Sequence, residues 1–265
     1  MSYRDMKKPK NIWLMGDIHG DYFPIKNFYQ NNKKFLSKDF RENILILLGD
    51  VGINYFLNHR DKETKDKLDR YPFTYLCIRG NHELRPSELE EQNPSEWHQE
   101  KCFENIVYVE DQHPKILYAL DQGGEYIIDD KSILVIPGAY SIDKFYRLSH
   151  GWTWNATEQL SEKEKENLFN TLKPQYNYIL SHTCPLSWQL YIQDLFLSQV
   201  DQSTVDNSME IFLDKVAASV KYDRWYWGHY HDNRDIPAVN GVMMFQEPLP
   251  LGMTYADYQK HCLIF

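Results

Sequence analysis

The stretch Ile44-Leu45-Ile46-Leu47-Leu48-Gly49-Asp50-Val51-Gly52 decides how the rest of the chain is read. Five apolar residues in a row have strand length. A run without polar alternation suits a strand buried on both faces, so helices should cover the sheet that holds it. The run stops at a glycine followed by an aspartate. The same plan recurs in both directions along the chain. Residues 12–15 stop at Gly16-Asp17-Ile18-His19-Gly20, and residues 73–78 stop just before Gly80-Asn81-His82-Glu83. Residues 133–136 stop at Pro137-Gly138, 176–180 at Ser181-His182, and 225–227 at Gly228-His229-Tyr230-His231.

Helical patterns fill the intervals. They are expected over 24–34, 64–70, 87–91, 161–172 and 207–220. Ser87 and Glu90 stand at capping-box spacing. Ser161 is the expected N-cap of the fourth helix, with Pro174 as its stop. Met209, Ile211, Phe212, Val216 and Val220 form a helical stripe that faces a core. Alternating strands and helices give an α/β class in one domain, residues 1–265. Residues 106–129 differ: three short strand-like pieces with Gly123-Gly124 as a turn suggest antiparallel pairing.

The chain has 265 residues, 42% of them hydrophobic and 15% aromatic, which is a globular composition. No apolar run is long enough to span a bilayer. The opening MSYRDMKKPK lacks the apolar core of a signal peptide. Cys77, Cys102, Cys184 and Cys262 show no paired spacing and read as reduced thiols. Together these features predict a cytoplasmic protein with no membrane association. The formal charge of −9 argues against long nucleic acid as a partner, because phosphate neutralisation drives that binding.

The residues that follow the strands are aspartate, histidine and asparagine, which offer hard oxygen and imidazole nitrogen. That donor set suits Mn, Fe, Zn or Ni better than a thiolate set would. Asp17 and His19 are two apart, so both side chains point the same way in extended backbone. His229 and His231 repeat the arrangement. Asp50 has two carboxylate oxygens with which to bridge two ions, and paired ions clamp a phosphate. Glycine beside each ligand permits a sharp turn and a close approach. Any one of these motifs is common; the five together, in order and each just after a strand, are specific.

The series GDIHG, GDVG, GNHE, SHTCP and GHYH resembles the signature series of the calcineurin-like metallophosphoesterases, in particular small bacterial and phage members. The resemblance implies a four-layer sandwich of two packed mixed β-sheets flanked by helices. It also implies two divalent transition-metal ions, Mn²⁺ being preferred over Fe, Zn or Ni. By resemblance, Asp17, His19, Asp50 and His231 would hold the first metal, and Asp50, Asn81, His182 and His229 the second. His82 would contact the phosphate and protonate the leaving oxygen, which fits an imidazole that gives or holds a proton near neutral pH. Glu83 is expected to pair with His82 or to form a structural ion pair. The second motif departs from the GDxVDRG of protein Ser/Thr phosphatases, since Asp50 is followed by Val-Gly-Ile-Asn-Tyr, although Arg79 before GNHE matches that branch.

The resulting expectation is hydrolysis of a phosphate ester by a metal-activated water. A nucleotide or cyclic-nucleotide phosphodiester comes first. A phosphomonoester or phosphoprotein is the alternative, and a metal-binding scaffold without turnover is the non-enzymatic one. The segment from about 138 to 160 is expected to lie over the metals. Its Tyr140, Lys144 and Arg147 are candidate phosphate contacts, and its Trp152 and Trp154 either stack on a base or pack the segment onto the core. Oligomeric state is not readable.

Overall fold

The computed structural model describes residues 8–197 and 200–262. The opening residues 1–7, on which part of the compartment reading rests, lie outside the described residues, as does the Cys262 side chain. In chain order the first half contains β1 Asn11–Met15, α1 Phe23–Asn32, β2 Asn43–Leu48, α2 His59–Leu68, β3 Thr74–Ile78, α3 Pro86–Gln92, β4 Trp97–Cys102, β5 Asn105–Glu110, β6 Ile116–Ala119 and β7 Gly124–Ile128. The second half contains β8 Lys131–Ile136, α4 Lys144–Ser149, α5 Glu162–Asn170, β9 Gln175–Ser181, α6 Ser208–Ser219, β10 Lys221–Trp227, β11 Arg234–Ile236, β12 Gly241–Met243, β13 Leu249–Pro250 and α7 Tyr255–Cys262.

Among the described residues the strands form two mixed sheets. One runs β13-β1-β2-β3-β6-β5-β4 and the other β11-β12-β10-β9-β8-β7. In β2, Ile44, Ile46 and Leu48 face the other sheet, where Ile133, Val135, Leu180, Tyr226 and Val242 meet them. Leu45 and Leu47 face outward onto Ile25 and Phe28 of α1 and Leu68 of α2. The second sheet turns its outer face to Met209, Phe212, Leu213 and Val216 of α6, with Trp225 and Trp227 fully buried there. Helix, sheet, sheet and helix thus form four layers, as the continuous apolar runs require. Cys77, Cys102 and Cys184 are buried free thiols.

Register places the site. β1, β2 and β3 are parallel, with Met15 opposite Leu47 and Leu48 opposite Ile78. β8, β9 and β10 are also parallel, with Ile136, Ser181 and Trp227 in line. The six carboxyl ends therefore finish at matching depth in their sheets, and the loops that follow them converge.

Three local expectations change. The Ser87–Glu90 capping box does not form: Arg85 is the N-cap of α3, Pro86 opens the helix, and the Ser87 N–H donates to Asp121. The Ser161 box does form, with Glu164. Ile211 leaves the buried stripe of α6 and is 46% exposed. The three pieces in 106–129 do not all pair together. β5 and β6 are antiparallel in the first sheet, but β7 pairs with β8 in the second, so Gly123-Gly124 marks the crossing between sheets.

Leu180 is fully buried between the sheets. We predict that Leu180→Ala lowers unfolding free energy by about 2–5 kcal/mol in a urea titration. Burial alone would raise the Glu164 carboxyl, but hydrogen bonds from Arg85 and Ser161 outweigh it and hold the group at about 2. Its stabilisation is present above the unfolded value of roughly 4.3 and is lost as pH falls toward the folded value. Glu164→Gln should flatten that part of the stability–pH profile.

Candidate metal centre

Loops from both sheets bring the seven candidate ligands together. Asp17, His19 and His231 present donor atoms within 4.8 Å of one another, and so do Asp17, Asp50 and His182. Asp17 belongs to both triplets, and Asp50, the carboxylate expected to bridge two ions, belongs to the second. His229 joins through its backbone N–H, which donates to the Asp17 carboxylate at 2.9 and 3.0 Å. Asn81 Oδ1 lies 2.9 Å from His182 Nε2 and 3.1 Å from His229 Nδ1.

The backbone bends to achieve this. Asp17, His19, Asp50, His229 and His231 all have positive φ, between 44° and 71°. Asp and His tolerate the left-handed region better than most residues, and such positions cost about 1–3 kcal/mol each unless the surroundings over-determine them. A side chain at i and another at i+2 therefore converge here through turns, not through extended strand geometry. The flanking glycines also have a second reason to be there. A Cβ on Gly49 would overlap the His182 ring, one on Gly80 the Asp50 carboxylate, and one on Gly228 the Asp17 carboxylate. They leave room for ligands arriving from other loops.

The donor chemistry fits a cation. The Leu48 carbonyl can only accept, so His182 donates from Nδ1 at 2.8 Å and turns Nε2 toward Asn81 Oδ1. The Asn81 amide is oriented by donation from Nδ2 to Ser141 Oγ at 2.9 Å. A neutral imidazole would then point a lone pair at a carbonyl oxygen, and the contact is satisfied only by a proton or a cation. His19 Nε2 and His231 Nε2 also approach to 2.9 Å, where one nitrogen donates and the other accepts. Electrostatics agree. Burial pushes the Asp17 carboxyl up; burial would raise Asp50 too, but the imidazoles around it hold it below the usual carboxylate range. Burial lowers His19 to about 4, whereas His182 resists burial because Asp50 raises it to about 9.

His82 stands beside the cluster without joining it. Its backbone N–H donates to Asp50 Oδ1 at 2.9 Å, and its Nε2 lies 3.7 Å from Asp50 Oδ2. Arg147, only 2% exposed, donates from Nη1 to His82 Nδ1 at 2.9 Å. A guanidinium has no acceptor, so the bond fixes the proton of neutral His82 on Nε2, toward the cluster. Arg147 thus reaches the centre through His82. Tyr140 lines the cavity over the cluster. Lys144 places its ammonium 3.8 Å from the Trp154 ring centroid. Trp152 is 52% exposed, and Trp154 donates to Glu158. Glu83 accepts from the Gly52 and Gly80 N–H groups, tying the second and third loops together.

Nothing in the sequence pointed to Ser141 or Glu158. Ser141 Oγ passes the Asn81 bond on to Glu158 Oε2 at 2.5 Å, and Glu158 Oε1 accepts the Ser141 N–H at 3.0 Å. Their only hint is position, in the segment that follows β8.

Comparisons with known proteins place this geometry. No characterised, curated protein matches the chain. Among solved structures it is similar to the phosphopantetheinyl hydrolase of Mycobacterium tuberculosis, at 12% identity over 96% of this chain and 93% of that one, with a TM-score of 0.47. TT1561 of Thermus thermophilus is similar at 11% identity over 88% and 87%, also with a TM-score of 0.47. Likenesses of that size carry no argument about chemistry. The calcineurin-like phosphoesterase family model, by contrast, matches residues 10–233, a span that contains all seven candidate ligands and His82. This chain belongs to the calcineurin-like phosphoesterases and is a metal-dependent phosphoric ester hydrolase.

Proposed function

We propose that the chain is a dinuclear phosphodiesterase acting on a nucleotide or cyclic nucleotide in the cytoplasm, and that it works as one domain. The observation that carries the substrate reading is a cavity of about 420 Å³ that joins the cluster to apolar side chains, among them Ile142, Leu195, Phe196 and Val205. A bare phosphate needs no such wall, whereas an ester group with a flat apolar face does. The buried free thiols support the compartment.

Asp17, His19, Asp50, Asn81, His182, His229 and His231 would hold the two cations, with Mn²⁺ preferred. Bound there, they supply Lewis acidity toward the phosphoryl oxygens and make water acidic enough to attack at neutral pH. The protein's own part is orientation and proton transfer. Asn81 and His182 are held by Ser141 and by the Leu48 carbonyl before any ligand arrives. His82, neutral while Arg147 donates to its Nδ1, presents Nε2–H as a hydrogen-bond donor to the phosphoryl oxygens; to give a proton to the leaving oxygen it must first become the imidazolium, with Nδ1 protonated and released from Arg147. Arg147 keeps that tautomer. Tyr140 and Ile142 on the cavity wall and Arg147 against His82 support reading the segment 138–160 as a cover for the site.

On Mn²⁺-loaded protein, bis(4-nitrophenyl) phosphate should be cleaved faster than 4-nitrophenyl phosphate. The opposite order would remove the phosphodiester reading. Asp50→Asn should lose metal, counted by elemental analysis, together with rate; full activity in that variant would sink the dinuclear mechanism. His82→Ala should keep its metal and lose about 10²–10⁴ in kcat. Ser141→Ala removes an outer support of Asn81, and its Mn²⁺ affinity by calorimetry should fall roughly 10–100-fold.

A further inference from the structure

Among the described residues, Glu210 is the one buried carboxylate on the cavity wall beyond the cluster whose hydrogen bonding is left incomplete. It projects from the first turn of α6, is 3% exposed and lines the same cavity as the candidate ligands. A directed chain of donors ends on it. Gln189 Nε2 donates to Tyr230 Oη at 3.2 Å, and Thr183 Oγ1 donates to Glu210 Oε1 at 2.9 Å. With the Thr183 proton so committed, the 3.1 Å contact between Tyr230 and Thr183 has Tyr230 as its donor. Every proton in the chain points toward Glu210, yet Oε2 is buried and has no partner. Lys165, whose charge Glu210 feels, is paired with Glu162. Burial pushes the carboxyl up to about 7, as expected of a buried acid short of donors.

A buried acceptor left open costs free energy in the empty protein, and a ligand that brings a donor removes the cost. The surroundings narrow the ligand. Phe196 and Tyr230 lie with ring centroids 6.4 Å apart and planes 25° from parallel, and Leu195 and Val205 are further parts of the wall. Such walls favour a flat, weakly polar ring over a sugar or a second phosphate.

We propose that this arm of the cavity is a nucleobase subsite, in which Glu210 Oε2 accepts a hydrogen bond from an exocyclic amine while the base packs against Phe196 and Tyr230. The proposal rests on the reading of the site as one for nucleotide esters and specifies which bases it prefers. An amine-bearing base is selected over one that lacks the amine, because the second leaves Oε2 unpaired. Gln189, Tyr230 and Thr183 are positioning residues, holding Glu210 on the cavity wall through Oε1.

The test is calorimetric titration of the metal-free full chain with adenosine and with purine riboside, which lacks the 6-amino group. Bis(4-nitrophenyl) phosphate hydrolysis is measured separately on Mn²⁺-loaded protein. Adenosine should bind roughly 10–100-fold tighter than purine riboside, and in Glu210→Gln the ratio should fall toward one. Equal affinity in the unmodified protein, no binding of either nucleoside, or a ratio unchanged in folded Glu210→Gln would each overturn the subsite, even with diester turnover intact. Tighter binding of n-butylammonium than of adenosine would also overturn it, making the arm an ammonium site. The unmodified protein decides by itself should Glu210→Gln fail to fold. Loss of diester turnover with the adenosine preference retained would remove the hydrolytic reading and leave the subsite standing.

Discussion

Negative charge buried at the ends of parallel strands is the constraint on which the rest of the molecule depends. Asp17 and Asp50 are each 1% exposed and face the same small volume. Two carboxylates withdrawn from water cost several kcal/mol each unless something positive or hydrogen-bonding compensates. Backbone N–H groups of His82 and His229 supply part of the compensation. The imidazoles around them supply more, and a pair of divalent cations would complete it. Strained backbone at five candidate ligands, glycines emptied of side chains and buried imidazoles are all consequences of crowding the donors into that volume.

A second layer holds the first in place. Asn81 has its amide turned by Ser141, and Ser141 by Glu158, which also takes a bond from Trp154. Glu83 clasps two of the ligand loops by their backbone. Arg147 fixes the face that His82 turns to the cluster. None of these groups needs to touch a substrate, but each restricts a candidate metal ligand, a loop that carries one, or His82. Preorganisation of this kind lets a site act without rearranging as charge develops. It also explains why the segment after β8 is rich in polar and aromatic side chains although α4 within it is only six residues long.

How much was legible follows from how local each signal is. β2 and β3 were clear because a continuous apolar run reports a strand buried on both faces. β4, Trp-His-Gln-Glu-Lys-Cys, was invisible: it is an edge strand with mostly polar side chains, and only pairing with β5 makes it one. Ser161 capped its helix as expected, while Ser87, despite its capping-box spacing, did not, because Pro86 opened α3 and Asp121, 34 residues away, took the Ser87 N–H. The two sheets divide residues 106–129 between them at Gly123-Gly124, a choice that no local pattern records.

The sequence by itself determined the class of fold and the donor set: apolar runs made the strands, and glycine with aspartate, histidine or asparagine after each run marked the edge where chemistry collects. Those are properties of short segments, fixed by backbone sterics and burial. Tertiary structure alone decided that Ser141 turns the Asn81 amide, that Arg147 addresses His82 across 65 positions of sequence, and that Glu210 lies on the cavity wall with an oxygen unpaired. These contacts join residues far apart in the chain, and their energies depend on a few tenths of an ångström and on exclusion of water. Neither exists until both sheets have packed.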